Sequence, residues 1–129
     1  MICLLQRLRW LPLLVMMGTI TFLSHLPGNS IQLPQVYNSD KLAHISAYCA
    51  LGLSYLHALP PRWWPGRRWL VGGSVVLFCL LFGIVDEFHQ SFVPGRMVSG
   101  ADVLADMAGS VLAWSGFAAW QRWRAKGRG

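Results

Sequence analysis

The five carboxylates of this chain fall into three short polar stretches, each accompanied by side chains that can transfer protons or bind anions. The first stretch contains Asp40, Lys41, His44 and Tyr48, with the acid, the histidine and the tyrosine spaced at i, i+4 and i+8. In an α-helix this spacing puts all three on one face, with the lysine beside them. Asp40 could instead be only a helix cap, with His44 and Tyr48 as packing residues. For His44 we favour a functional role, because ionisable groups inside apolar helices usually mark a site.

The densest polar stretch lies between residues 86 and 96 and includes Asp86, Glu87, Gln90 and Arg96. Carboxylates near the C-terminal end of a helix oppose the helix dipole, so capping does not explain the two acids. A Pro-Gly pair precedes Arg96, as in a type II turn. The spacing therefore predicts a tight turn that brings the arginine over the helix ends. An Arg–carboxylate ion pair that merely fixes the turn is the structural alternative.

The third stretch begins at Ser99 and contains Asp102 and Asp106. The spacing of Ser99 and Asp102 is typical of a capping box, which gives Asp102 a structural explanation. Asp106 lies one turn deeper on the same face and has no such explanation. Small residues that follow it, such as Gly109, would allow another helix to approach closely.

We predict that the three stretches converge on one site. Its acid–base residues would be His44, Asp86 and Glu87. Its ligand-binding residues would be Asp40, Lys41, Tyr48, Gln90, Arg96, Asp102 and Asp106. Lysine and arginine at such a site can bind a phosphate or a carboxylate. A cluster of carboxylates with a histidine could perform acid–base chemistry or hold a divalent cation. The histidines and acids show no spacing specific for a metal, however, so the sequence predicts neither a metal nor a cofactor.

Apolar segments separate these polar stretches. Of the 129 residues, 54% are hydrophobic and 12% are charged, a composition that favours a membrane protein over a soluble one. Because a bilayer core of about 30 Å needs roughly 17–25 apolar residues per helix, we predict spans at about 10–26, 40–60, 69–92 and 100–121. A signal peptide is the alternative for the first span, but no small-x-small cleavage site follows it. The sequence thus predicts an all-α integral membrane four-helix bundle, with residues 1–129 in one domain.

The charges divide between the two sides of this predicted bundle. Nine of the eleven basic residues lie on one side, and all five acids lie on the other with Lys41 and Arg96. The positive-inside rule then makes both termini cytoplasmic and puts the polar site on the outer face. The formal charge of +6 is therefore no indication of nucleic-acid binding. The three cysteines are far apart and predict no disulfide framework.

Three motifs of this chain resemble the VanZ-like family. They are Asp40-Lys41-x-x-His44-x-x-x-Tyr48-x-x-x-Gly52, Asp86-Glu87-x-x-Gln90-x-Phe92-x-Pro94-Gly95-Arg96 and Asp102-x-x-x-Asp106-x-x-Gly109. The resemblance extends over essentially the whole chain. It implies a multi-pass protein of the bacterial inner membrane, in a family whose name-giving member confers low-level teicoplanin resistance.

Three functions are compatible with these observations. The first is a protein of envelope biology whose outer-face pocket binds a ligand at the outer leaflet. The ligand would be lipid-linked, phosphorylated or peptidoglycan-related, and one version of this hypothesis has the protein modify it. The second is a small transporter or proton-coupled carrier; a homo-oligomer would have to supply its path, because the inner halves of the helices are nearly free of ionisable residues. The third is a structural or assembly partner. Whether the protein is an enzyme stays open at this stage.

Overall fold

A computed structural model describes residues 8–28, 30, 39–64 and 66–127. Within these ranges the chain forms four α-helices and a short 3₁₀ helix, and it has no strand. The helices are α1 (Leu11–His25), α2 (Ser39–Ala58), α3 (Arg68–Gln90) and α4 (Gly100–Lys126), with the 3₁₀ helix Pro61–Trp63 between α2 and α3. The all-α prediction is confirmed. The fourth helix continues to Lys126, beyond the predicted end of the span near residue 121.

The connection between α3 and α4 is the tight turn that the Pro-Gly pair predicts. Gly95 has a φ of 76°, and the N–H of Arg96 donates to the carbonyl of Val93 at 3.2 Å. Both features are typical of a type II turn. Helix α3 itself ends at Gln90, slightly before the predicted end at residue 92. The N–H groups of Phe92 and Val93 bond to carbonyls three residues back, as in a tightened final helical turn.

Helices α2 and α4 pack most closely, with backbone against backbone. At Gly109 a Cβ atom would overlap the carbonyl oxygen of Ile45 and lie 2.9 Å from the amide nitrogen of Cys49. One further point of contact is between Gly52 and Ala113, where an added Cβ on the glycine would lie 2.8 Å from the alanine Cβ. Small residues at a helix–helix interface allow this separation. The polar side chains on the first turns of α2 and α4 are therefore held at short range.

The apolar core lies between α2 and α3, with α1 packed against both. Leu51, Val75 and Cys79 are fully buried there. The ring of Tyr55 stacks on that of Phe78 with a centroid separation of 4.7 Å. This core fixes the depth at which the polar residues of the two helices meet.

Large apolar side chains cover the outer surface of the helices. Leu14, Leu70, Leu81 and Leu112 are all more than half exposed. Helices α3 and α4 are each long and apolar enough to cross a membrane, whereas α1 is apolar but has only 15 residues. An apolar outer surface of this extent is unusual for a soluble monomer.

Candidate functional site

Four carboxylates are buried at one end of the helices, which we call the polar end. It consists of the C-terminal ends of α1 and α3 and the N-terminal ends of α2 and α4. Asp86, Glu87, Asp102 and Asp106 are each less than one-tenth exposed. Burying a charge costs free energy unless the charge is paired or hydrogen-bonded. The partners of these four acids therefore show which carboxylate oxygens are already satisfied and which are left for a ligand.

Asp106 of α4 pairs with His44 of α2. Its Oδ1 lies 2.9 Å from the histidine Nδ1, and the aspartate is only 1% exposed. Gly83 of α3 makes room for this carboxylate, because a Cβ atom there would lie 2.7 Å from Asp106 Oδ2. When Nδ1 donates to the aspartate, Nε2 carries the lone pair and can accept a proton or bind a metal ion. The sequence-based interpretation paired His44 with Asp86 or Glu87; the structure pairs it directly with Asp106.

Lys41 connects the start of α2 to the start of α4. Its Nζ donates to Asp40 at 2.8 Å and also to Oδ1 of Asp102. Asp40 is exposed, whereas Asp102 is buried. The lysine therefore compensates one buried carboxylate and holds the first turns of the two helices together.

Glu87 takes a role that the capping-box spacing assigned to Asp102. The side chain of Ser99 caps α4 by accepting from the N–H of Ala101 at 3.2 Å, as expected for an N-cap serine. The N–H of Ser99, however, donates at 3.3 Å to Glu87 Oε2 on the neighbouring helix. In a capping box, Asp102 would accept this bond. The predicted capping box is therefore only half formed, because Asp102 is engaged with Lys41.

His44, Glu87 and Asp102 meet where α2, α3 and α4 join. Each offers one donor atom, and the three donor atoms all lie within 4.8 Å of one another. A histidine with two carboxylates is a donor set that metal ions use. Because each donor comes from a different helix, their spacing along the sequence shows no metal-binding pattern.

Asp86 and Gln90 face α1, away from that junction. The amide of Gln90 donates to Asp86 Oδ2 at 3.0 Å, so the two residues share a helix face. The hydroxyl of Ser24, in the last turn of α1, donates to the same oxygen at 2.7 Å. Ser24 is not among the residues predicted for the site from the sequence. Two signals in the sequence point to it, namely its position at the end of an apolar helix, level with the acids, and its place in the segment 23–28, which also resembles the VanZ-like family.

Arg96 also turns toward α1. Its guanidinium donates to the carbonyl of Leu26 at 3.1 Å through Nε and to that of Leu23 at 2.7 Å through a terminal nitrogen. These are carbonyls at the C-terminal end of α1, where a cation is favourable. The arginine therefore positions α1 against the turn, and the guanidinium forms no ion pair with a carboxylate among the described residues.

The residues that make these contacts all lie in a part of the chain that matches a known protein family. The model of the VanZ/LLP1 family matches residues 8–121. This chain belongs to the VanZ/LLP1 family. No curated protein and no solved structure matches it. Every residue predicted for the site lies inside the matched range, so the site is part of the VanZ/LLP1 domain.

The polar end of this VanZ/LLP1 domain contains an open cleft of about 240 Å³ between α1, α2 and α3. Apolar side chains form part of its walls, among them Ile20, Leu23, Ala43 and Ala47. Its polar lining comprises Ser24, Asp40, His44, Tyr48, Asp86, Gln90 and Arg96. Larger grooves at the opposite end are lined mainly by Trp, Arg and apolar residues and contain none of the acids. The cleft is therefore the cavity that adjoins the candidate chemistry.

The hydroxyl of Tyr48 stands out within this cleft. The residue is 1% exposed, and its hydroxyl has no hydrogen-bond partner in the described part of the chain. A buried hydroxyl without a partner is unfavourable and calls for an explanation. A ligand in the cleft would supply one.

Proposed function

We propose that this VanZ/LLP1 protein is a multi-pass protein of the bacterial inner membrane, with four spanning helices, both termini in the cytoplasm and the polar end at the outer face. The apolar outer surface and the two helices of sufficient length support membrane insertion. The arginines of the described residues other than Arg96 lie at the opposite end, which the positive-inside rule assigns to the cytoplasm.

Cysteine labelling tests this orientation. In a background without the native cysteines, Met97→Cys in the exposed turn before α4 is expected to react with a membrane-impermeant maleimide added to intact spheroplasts. Gly127→Cys, at the end of α4, is expected to react only after the membrane is permeabilised. The reverse pattern would put the polar end in the cytoplasm.

We further propose that the cleft binds the polar headgroup of a lipid or lipid-linked molecule of the outer leaflet. The observation that carries this proposal is the unpartnered Tyr48 hydroxyl, buried on the wall of a cavity that combines apolar and charged side chains. A lipid offers both an apolar chain and a polar group at this depth. A volume of about 240 Å³ suits a small headgroup, so the remainder of the molecule would lie outside the cleft.

The guanidinium of Arg96 makes phosphate a suitable component of that headgroup. This guanidinium has N–H groups beyond those bonded to α1 and can donate them to phosphate oxygens. Asp40 and Asp86 can accept from a hydroxyl or an amine of the same headgroup. Lipid-linked peptidoglycan precursors carry phosphate in this way, which connects the proposal to envelope biology and to glycopeptide resistance.

The substitution Tyr48→Phe tests the cleft. It removes the hydroxyl and keeps the ring, so binding of undecaprenyl phosphate and of phosphatidylglycerol is expected to weaken about 2- to 10-fold, the value of one hydrogen bond. The measurement is a native mass-spectrometry titration of the detergent-purified protein with each lipid. The melting temperature is expected to hold or rise, because an unsatisfied buried group is lost.

Tyr55→Phe is the matched control, since Tyr55 lies on the same helix and stacks on Phe78 outside the cleft lining. Its lipid binding is expected to equal that of the unmodified protein. Equal affinity of Tyr48→Phe and Tyr55→Phe for both lipids would remove the support for a headgroup site.

A further inference from the structure

We propose that His44, Glu87 and Asp102 bind a divalent transition-metal ion, Zn²⁺ or Mn²⁺, at the junction of α2, α3 and α4. This ion site adjoins the cleft through His44 but does not require that the cleft bind a headgroup. One nitrogen and two carboxylate oxygens form its protein ligands, and the remaining positions are left to water or substrate, as in metal sites that do chemistry. An imidazole ligand favours these ions over Ca²⁺ and Mg²⁺, which prefer oxygen alone.

The geometry brings the three donors together without large movements. They lie within 4.8 Å of one another, and the ligands of a tetrahedral ion with bonds of about 2.1 Å are roughly 3.4 Å apart. To bind such an ion the donors therefore need to approach one another by at most about 1.4 Å. All three donors are on helices that the close contact of α2 and α4 holds in register.

A second, independent observation is the state of Glu87. The residue is 4% exposed, and its Oε1 is buried without a hydrogen-bond partner in the described residues, while Oε2 accepts from Ser99. A buried carboxylate oxygen without a donor is strongly unfavourable. A cation beside it removes that cost.

The charge of the surroundings points the same way. Four buried carboxylates are gathered at the polar end, and among the described residues their basic partners are Lys41 and His44, of which His44 is charged only when protonated. Lys41 donates to one oxygen of Asp102, which leaves the other oxygen for an ion. A divalent ion would bring the cluster nearer to neutrality.

The contact between Asp106 and His44 completes the arrangement. A histidine that binds a metal commonly donates its other ring N–H to a carboxylate, which fixes the ring orientation. Asp106 accepts from Nδ1 at 2.9 Å and leaves Nε2 for the ion. Asp106 is thus a positioning residue for the metal ligand.

Isothermal titration of the detergent-purified protein with Zn²⁺ and with Mn²⁺ tests the site. The protein carries an affinity tag without histidine and is first stripped with a chelator. We expect saturable binding of one ion per chain, with Mg²⁺ at least about 100-fold weaker. Glu87→Gln keeps the shape of the side chain and is expected to weaken binding at least about 100-fold, since even changes outside the ligands cost 10- to 100-fold.

Asp86→Asn is the matched control. Asp86 is the neighbouring residue, is buried to the same degree, and bonds to Ser24 and Gln90 instead of the metal ligands. Its metal affinity is expected to stay within about 3-fold of the unmodified protein. A second control, His25→Ala with His89→Ala, removes an exposed histidine pair whose rings are 5.8 Å apart and which could bind Zn²⁺ adventitiously.

Each outcome decides the inference. Loss of binding in Glu87→Gln with retention in both controls supports it, provided that the melting temperature without metal shows a folded variant. Absence of saturable binding, equal loss in Asp86→Asn, or loss only in the histidine double variant overturns it. If Glu87→Gln does not fold, Asp102→Asn is measured instead with the same expectation. Tyr48→Phe is expected to bind the metal as the unmodified protein does. A failure of the headgroup proposal in the lipid titration therefore leaves the metal titration unaffected.

Discussion

Replacing Gly109 with alanine is expected to lower the free energy of unfolding by at least about 2 kcal/mol, at the upper part of the range for overpacked cores. The added Cβ would overlap the carbonyl oxygen of Ile45 and come within 2.9 Å of the amide nitrogen of Cys49. Both are backbone atoms of α2, so no side-chain rotation relieves the overlap. The two helices must separate, and the contacts of Lys41 and His44 across their interface weaken with them.

Gly116→Ala on the same helix is the control. Nothing lies within 4 Å of a Cβ atom at that position, so only helix propensity changes. Alanine is better than glycine in a helix interior by about 0.5–1 kcal/mol, and this variant is expected to be slightly more stable. Thermal unfolding in detergent, followed by circular dichroism, measures both. If the melting temperature of Gly109→Ala is as high as that of Gly116→Ala, α2 and α4 do not pack as closely as described here.

Asp106→Ala is expected to destabilise the protein by about 3 kcal/mol, because removing one member of a buried pair leaves the other without its partner. Asp106 is 1% exposed and bonds to His44, and its carboxylate also fills the space over Gly83. The substitution therefore loses a hydrogen bond and leaves a cavity. The measurement is the melting temperature in detergent together with retention of a monodisperse elution peak.

One further variant separates the charge of Asp106 from its hydrogen bond, and a second serves as the control. Asp106→Asn keeps an oxygen that can accept from His44 Nδ1 and is expected to recover more than half of the loss. Asp40→Ala removes the acid of an exposed ion pair, worth at most about 1 kcal/mol, and is expected to melt close to the unmodified protein. If Asp106→Ala is as stable as Asp40→Ala, the pair with His44 contributes nothing to the fold.

The fold was largely predictable because its signals are local. Apolar runs of sufficient length predict helices wherever they occur, and the Pro-Gly pair before Arg96 predicts the turn that Gly95 forms with its positive φ. The gathering of acids at one end followed from the alternation of helix directions. None of these inferences needs to know which helices are neighbours.

The pairing of individual side chains could not be predicted, because it depends on how the helices rotate about their axes. The acids Asp86 and Glu87 are adjacent in sequence, yet one faces Ser24 on α1 and the other faces α4. Successive residues of a helix point about 100° apart, so they reach different neighbours. The sequence places both at one depth without indicating which helix each contacts. Arg96 was predicted to bind a ligand. Its bonds to carbonyls of α1 appear only in the structure, because the sequence does not show which helix lies beside the turn.

The bond from the N–H of Ser99 to Glu87 bears on the order in which this protein assembles. While α4 is alone, Asp102 is the nearest side chain able to accept that N–H, in the ordinary local manner of a capping box. In the folded chain Glu87 on α3 is the acceptor instead, and Asp102 accepts from Lys41 on α2. Docking of the last helix thus exchanges a local partner for two distant ones. The cluster can form only after α4 has been synthesised, since a nascent protein without this helix has neither Asp102 nor Asp106.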